Sequence, residues 1–178
     1  DDLISSVEAE KLKLYENYYT EEENDDNDSV IRIFKTRSEA NLVCMMEGKL
    51  PSDKNEIAVD RMYAENNDLK TGDTISLNGR KLIISGLSAL PDYSTLYRSP
   101  NDMMFDSVLF GTAVMTDEGF EQFGTDHLHY SYSWIWNDQP ADDDTAKEMS
   151  DDLLKVIYSE AVGSGNQVKT FIPEYSNN

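Results

Sequence analysis

One cysteine, Cys44, stands in the 178 residues, so no disulfide can form within the chain. It lies in the apolar run Leu42 to Met46 and is expected to act as a small core residue. Histidine is almost as scarce, with only His127 and His129. No apolar run approaches the roughly 18 residues that a membrane-spanning helix needs. No secretory leader is recognisable and the first residue is Asp1, so the chain is read as a mature or excised fragment. Positive charge is short too. Fifteen Lys and Arg face 35 Asp and Glu, for a net charge of -20 and an isoelectric point near 4.2. A field of that sign repels phosphate backbones and anionic headgroups, so nucleic acid is not an expected partner. Cations and cationic peptides would be attracted. The catalytic signatures are missing as well: there is no G-x-S-x-G elbow, no Walker loop and no dinucleotide fingerprint. The GSG at Gly163 to Gly165 follows a helical pattern, so it stops a helix and does not cradle a phosphate.

What remains is a soluble, polar chain long enough for one domain with a real core. Leu3 to Tyr19 carries Ile4, Val7, Leu14 and Tyr18 on one helical face, and a helix is expected there. Thr20 to Asp28, TEEENDDND, reads as a mobile acidic loop. Ile31 to Lys35 alternates like a half-buried strand, and Glu56 to Asp60 reads as a short strand. Arg61 to Asp68 fits one or two helical turns. Thr74 to Leu77 and Arg80 to Ser85 read as a hairpin around Asn78-Gly79, where both turn residues need positive φ. Gly72 suits a tight bend leading into it. Pro91 to Asp106 reads as a polar loop with embedded aromatics, and Ser107 to Met115 as a strand. Thr116 is placed to cap a short helix through Phe123. Leu128 to Trp136 is the clearest strand pattern. Thr145-x-x-Glu148 looks like a capping box for a helix that Gly163 and Gly165 end. Val168 to Ile172 reads as a last strand or extended exit.

Each feature that could carry chemistry has a plainer explanation. His127 and His129 would share one strand face, but no spacing supplies the third ligand a metal site needs. Glu23 to Val30 lacks the glycine of a calcium loop, and Asp142 to Asp144 fit helix capping. With 35 acids, a carboxylate pair for hydrolysis is no signal at all. Tyr130, Tyr132, Trp134 and Trp136 alternate along a strand and are expected to face a core, although such a stripe could also stack sugars or peptides. No catalytic, cofactor-binding or metal-binding residue is assigned, and no cofactor is implied.

Four segments, taken in order, resemble the extracytoplasmic domain of FtsX-like ABC transporter permeases, the MacB-type periplasmic core domain, in its Firmicutes form. They are EGKLPSDKNEIAVDRMYAENNDLKTGDTISLNGRKLIISGL, LPDYSTLYRSPNDMMFDSVLFGTAVMTDEGFEQF, YSYSWIW and the exit FIPEYSNN. Together they cover roughly Ile31 to the end of the chain. No single motif among them is diagnostic; the order carries the likeness. The resemblance implies an α+β fold and a single extracytoplasmic domain over residues 1–178. A sheet-and-helix lobe (1–46 and 91–178) would carry the termini on the membrane side, with a smaller β-rich lobe inserted at 47–90. It implies no catalysis. The partners would be the permease's own membrane helices, a separate cytoplasmic ATPase, and an extracellular substrate or protein of unknown identity, with a cationic peptide favoured by the charge. The acidic residues 21–28 are not part of the family pattern. The competing readings are a surface binding module and a secreted hydrolase; the second requires a deep pocket of converging acids with raised pKa values.

Overall fold

The computed structural model describes residues 12–93, 96–98, 104, 106–124 and 126–163. In chain order the strands are β1 (Leu12–Glu16), β2 (Tyr19–Glu23), β3 (Val30–Lys35), β4 (Cys44–Gly48), β5 (Glu56–Asp60), β6 (Thr74–Leu77), β7 (Arg80–Ala89), β8 (Phe110–Met115) and β9 (Tyr132–Trp136). The helices are α1 (Arg61–Asn66), α2 (Asp117–Glu121) and α3 (Asp143–Gly163), with a 3-10 turn at Pro91–Tyr93. The fold is α+β with a mixed sheet, as expected from the resemblance.

Two compact units are present. One is Glu16–Ser131; the other joins Asp1–Tyr15 with Tyr132–Asn178. The larger unit holds a seven-stranded sheet in the order β2-β3-β8-β5-β7-β4, with β6 also on β7. β3 runs parallel to β8 and β5 parallel to β7; the other pairs are antiparallel. β7 meets β5 from Ile83 to Ser88, β6 over Arg80–Ile83 and β4 over Gly86–Ala89. The overlaps place β6 and β4 one after the other on a single edge of β7. The far side of β6 then meets the end of β2. Leu77 bridges Asn24, Asn78 N–H donates to Glu23 O at 3.0 Å, and Asp25 N–H donates to Ser76 O at 2.9 Å. Six strands thus close a ring, β2-β3-β8-β5-β7-β6, around Ile31, Ile33, Ile57, Val59, Ile75, Leu77, Leu82, Ile84 and Met115. The expected β-rich segment 47–90 does not stand apart as a lobe. Its strands β5 to β7 are half of this ring, because β5 hydrogen-bonds β8.

Several local expectations hold for the reasons given. The Asn78-Gly79 turn has φ values of 48° and 76°, and Thr116 accepts the Gly119 N–H at 3.1 Å to start α2. The start of α1 uses Asp60, which accepts from Met62 and Tyr63. Burial pushes this carboxyl up, and the two N–H donors only partly oppose that.

Other expectations are corrected. Leu12 to Tyr19 is not helical; residues 1–11 lie outside the described set. Leu12 and Leu14 alternate toward a core with β9 alongside, and an available partner strand overrides a narrow helical stripe. The acidic Thr20 to Glu23 is a strand, not a mobile loop, held in register by β3. β3 is buried on both faces, from Ile31 through Phe34. Cys44 is exposed on β4, the outermost strand of the path, and not in a core. The strand expected over Leu128 to Trp136 begins only at Tyr132; before it, His129 and Tyr19 exchange both backbone hydrogen bonds, at 3.0 and 2.8 Å. α3 starts earlier than the capping box implies, since Asp142 accepts the Thr145 N–H at 2.8 Å. Gly165 and the expected exit Val168 to Ile172 lie outside the described residues.

The smaller unit packs Leu12 and Leu14 of β1 and Leu153 and Ile157 of α3 with Tyr132, Trp134 and Trp136 of β9. Three of the four aromatics in the expected stripe thus serve a core.

In the ring, Tyr63 is fully buried beneath β8. Its hydroxyl takes the Asn24 amide at 2.9 Å and meets Ser29 Oγ at 2.7 Å. A Cβ on Gly111 would fall 2.6 Å from its ring. Gly111→Ala is therefore expected to cost about 1–3 kcal/mol by overpacking, read as a lower urea midpoint with unchanged slope. In the loop before β5, Glu56 accepts from Ser52 N–H at 2.7 Å, Ser52 Oγ at 2.9 Å and Lys49 Nζ at 3.0 Å. The Ser52 N–H is the largest influence, and together these donors hold the carboxyl down at about 2. A depressed acid adds stability above its unfolded pKa of about 4.5 and loses it as pH falls through the folded value. Carbon-13 titration should place the Glu56 midpoint near 2, and Ser52→Ala should move it up. A midpoint at the ordinary glutamate value would overturn the assignment.

Candidate functional site

The side chains expected to carry chemistry do not converge. His127 is exposed. His129 lies flat against Tyr19, ring centroids 4.9 Å apart and planes 13° from parallel. Among the described residues no three His, Cys, Asp or Glu side chains are grouped to hold a metal ion. Tyr130 is 63% exposed and meets Tyr18 edge-on at 5.0 Å, so it differs from the other aromatics of its stripe. Asp60 is a buried acid with a raised pKa, but its Oδ1 already accepts two helix N–H groups. It acts as a cap and has no acid beside it in the manner of a hydrolase pair.

The concentrated electrostatics of the larger unit lie elsewhere, on the second face of β3. Ile31 and Ile33 point into the ring; Arg32 and Phe34 point the other way, as strand alternation requires. There Phe34, Ala58, Leu90 and Val114 form a second small core with Tyr19 and Tyr93 against it. Arg32 is only 8% exposed. Its guanidinium lies 4.4 Å from the Tyr19 ring centre and 5.0 Å from that of Phe110. Nη2 and Nε donate to Glu21 Oε1 at 2.6 and 3.1 Å, Nη1 to the Tyr93 hydroxyl at 2.8 Å, and Nη2 also to Arg98 O at 2.8 Å. Arg98 closes the group by donating to Glu21 Oε2 at 2.8 Å. Burial pushes the Glu21 carboxyl up, yet the two arginines outweigh it and leave it lowered. Burial likewise pulls Arg32 down, and Tyr93 and Glu21 reverse that.

A second arginine works beside it. Arg37 Nη1 donates to both Asp92 oxygens at 2.8 Å, while its guanidinium sits 4.5 Å from the Phe34 ring centre. Arg32 and Arg37 therefore fasten the turn Pro91–Tyr93 and the start of the following segment to β3. This chemistry is structural: every polar group in the Arg32 set is met by protein, and no open position remains for a substrate. No sequence pattern flagged the set, because Glu21, Arg32, Tyr93 and Arg98 come from separated segments.

Arg32→Ala would leave Glu21 and the Tyr93 hydroxyl half-buried with a donor lost. The expected cost is about 3–5 kcal/mol, seen as a fall of roughly 10 °C in Tm for a chain of this size. Glu21→Gln, which keeps an acceptor, is expected to cost less. Equal melting temperatures for Arg32→Ala and the parent chain would refute the assignment.

No family profile matches the sequence, and no curated protein matches it in sequence. Among solved structures, the crystal structure of the extracellular domain of the noncanonic ABC-type transporter YknZ from Gram-positive bacteria is similar, with a TM-score of 0.50 at 10% identity. The match covers 94% of this chain and 84% of that one. That neighbour is a transporter domain and not an enzyme. Among the described residues no helix is long and apolar enough to cross a membrane. The chain shares the α+β fold of an ABC-transporter extracellular domain.

Proposed function

We propose that the chain is a non-catalytic extracellular domain of an ABC transporter permease of the FtsX-like, MacB-type group. The observation that carries this reading is a likeness of fold that runs over nearly the whole chain. The ordered resemblance of the segments from Ile31 onward supports it independently of the coordinates. The domain's partners are the membrane helices of its own permease, with its termini facing the membrane, and a separate cytoplasmic ATPase. Its task is to engage a substrate or protein outside the cell and to pass on motion. The closed ring suits that task. Strands hydrogen-bonded on both edges resist shear, so a force applied at one end moves the unit as a rigid body. Chemistry is not required of it, and its acids are used as caps, ion pairs and surface charge.

The test is where the native protein resides. Antibody raised to this chain and applied to fractionated source cells should find an integral membrane protein well above 20.2 kDa, cleaved by protease added outside intact cells. A soluble species near that mass would sink the reading.

A further inference from the structure

We infer that one end of the β-ring is a docking surface for a basic, amphipathic peptide segment. Three turns meet there: residues 24–29 between β2 and β3, residues 66–68 after α1, and residues 106–109 before β8. Hydrogen bonds fix them to one another. Asn67 Oδ1 accepts from the Asn27 amide at 3.2 Å, and the Asn67 amide donates to Val108 O at 3.1 Å. The Asn66 amide donates to Ser107 Oγ at 2.6 Å, and Val30 N–H donates to Leu109 O at 2.9 Å. Val108 and Leu109, adjacent in this surface, are 48% and 50% exposed. Asp25, Asp26, Asp28 and Asp68, on the two other turns, are exposed too.

The acids of this end differ from acids elsewhere. Glu21, Glu56, Glu65, Asp92, Glu121 and Asp152 each meet a Lys or Arg. Among the described residues no Lys or Arg pairs with Asp25, Asp26, Asp28 or Asp68. The surface thus joins an exposed apolar pair to uncompensated negative charge, on a chain whose net charge is -20. A second copy would set acid against acid, and anionic lipid or nucleic acid would be repelled in the same way. A free divalent cation would use the carboxylates and leave Val108 and Leu109 bare. A segment with Lys or Arg flanking an aliphatic side chain meets both features, the charge steering it in and the apolar contact holding it. This deepens the transporter reading by naming what the outer face engages, and it rests on that reading only for its location outside the cell.

The experiment is an amide NMR titration of this chain with a short synthetic peptide of Leu and Lys. A Ser and Lys peptide of equal charge, and calcium alone, serve as controls. The expected shifts concentrate at residues 25–28, 67–68 and 106–109, with affinity falling roughly 10-fold between about 50 and 200 mM salt. Leu109→Ser, an exposed change, should weaken binding roughly 5-fold while keeping the salt dependence. Asp26→Asn with Asp28→Asn should flatten that dependence. Equal binding of the Ser and Lys peptide, shifts centred elsewhere, absence of binding, or the same shifts from calcium alone would each overturn the inference. None of these outcomes would touch the transporter reading, which stands or falls on where the native protein resides.

Discussion

A guanidinium withdrawn from water must have its donors met, and Arg32 imposes that condition on the larger unit. It lies on a strand at a position whose alternation would ordinarily face solvent. Covering it requires an acid directly across the ladder, and Glu21 is its register partner on β2. It requires a hydroxyl and a carbonyl from the chain after β7, and Tyr93 and Arg98 supply them. Tyr19 and Phe110 provide ring faces for the remaining surface. The strand identity of the acidic segment, the path of residues 91–98 and the second core around Phe34 all follow from satisfying this one group. A buried ion pair of this kind adds little net stability over an apolar substitute, but removing one partner is costly. Its value lies in fixing one arrangement.

The opposite phase of β2 completes the closure. Thr20 and Glu22 are buried on the other side from Glu21. Thr20 Oγ1 donates to Glu22 Oε1 at 2.6 Å, and the Asn78 amide donates to Glu22 Oε2 at 3.0 Å. The acidic strand is thereby tied to the β6–β7 turn, and the ring closes through polar contacts where apolar side chains are lacking. An extracellular domain built this way has no free flank on its ring for shear, and its unneutralised charge is left at the turns. Both traits suit a body that moves as a unit and meets partners at its ends. The fold likeness to a transporter extracellular domain and the arrangement of charge therefore point the same way, although they arise from separate observations.

Much of the fold was legible where the signal is local. The Asn78-Gly79 hairpin, the bend at Gly72, the Thr116 cap and the short helix after Asp60 depend on the backbone preferences of a few neighbouring residues. They appear where the sequence puts them. The burial of Tyr132, Trp134 and Trp136 follows from strand alternation alone. Errors arose where two periodicities competed or a distant partner decided. Leu12, Leu14 and Tyr18 satisfy a helical stripe and a strand about equally. Thr20 to Glu23 has the composition of a solvated loop until Arg32 is opposite it. Cys44 sits in an apolar run that the sheet leaves at its outer edge.

The candidate surfaces divide the same way. Composition alone determined that the chain is strongly acidic, has no disulfide within it and shows no recognised catalytic motif, because those are properties of residue type and count. The order of its segments was enough to suggest a transporter's outer domain. Tertiary structure alone decided which acids are neutralised and which are not. Glu21 and Asp26 stand five positions apart in one acidic run, yet one is locked between two arginines and the other is exposed. The physical reason is that screening and pairing act through space over a few ångströms, and the cations that choose between these acids come from β3 and from the segment after β7.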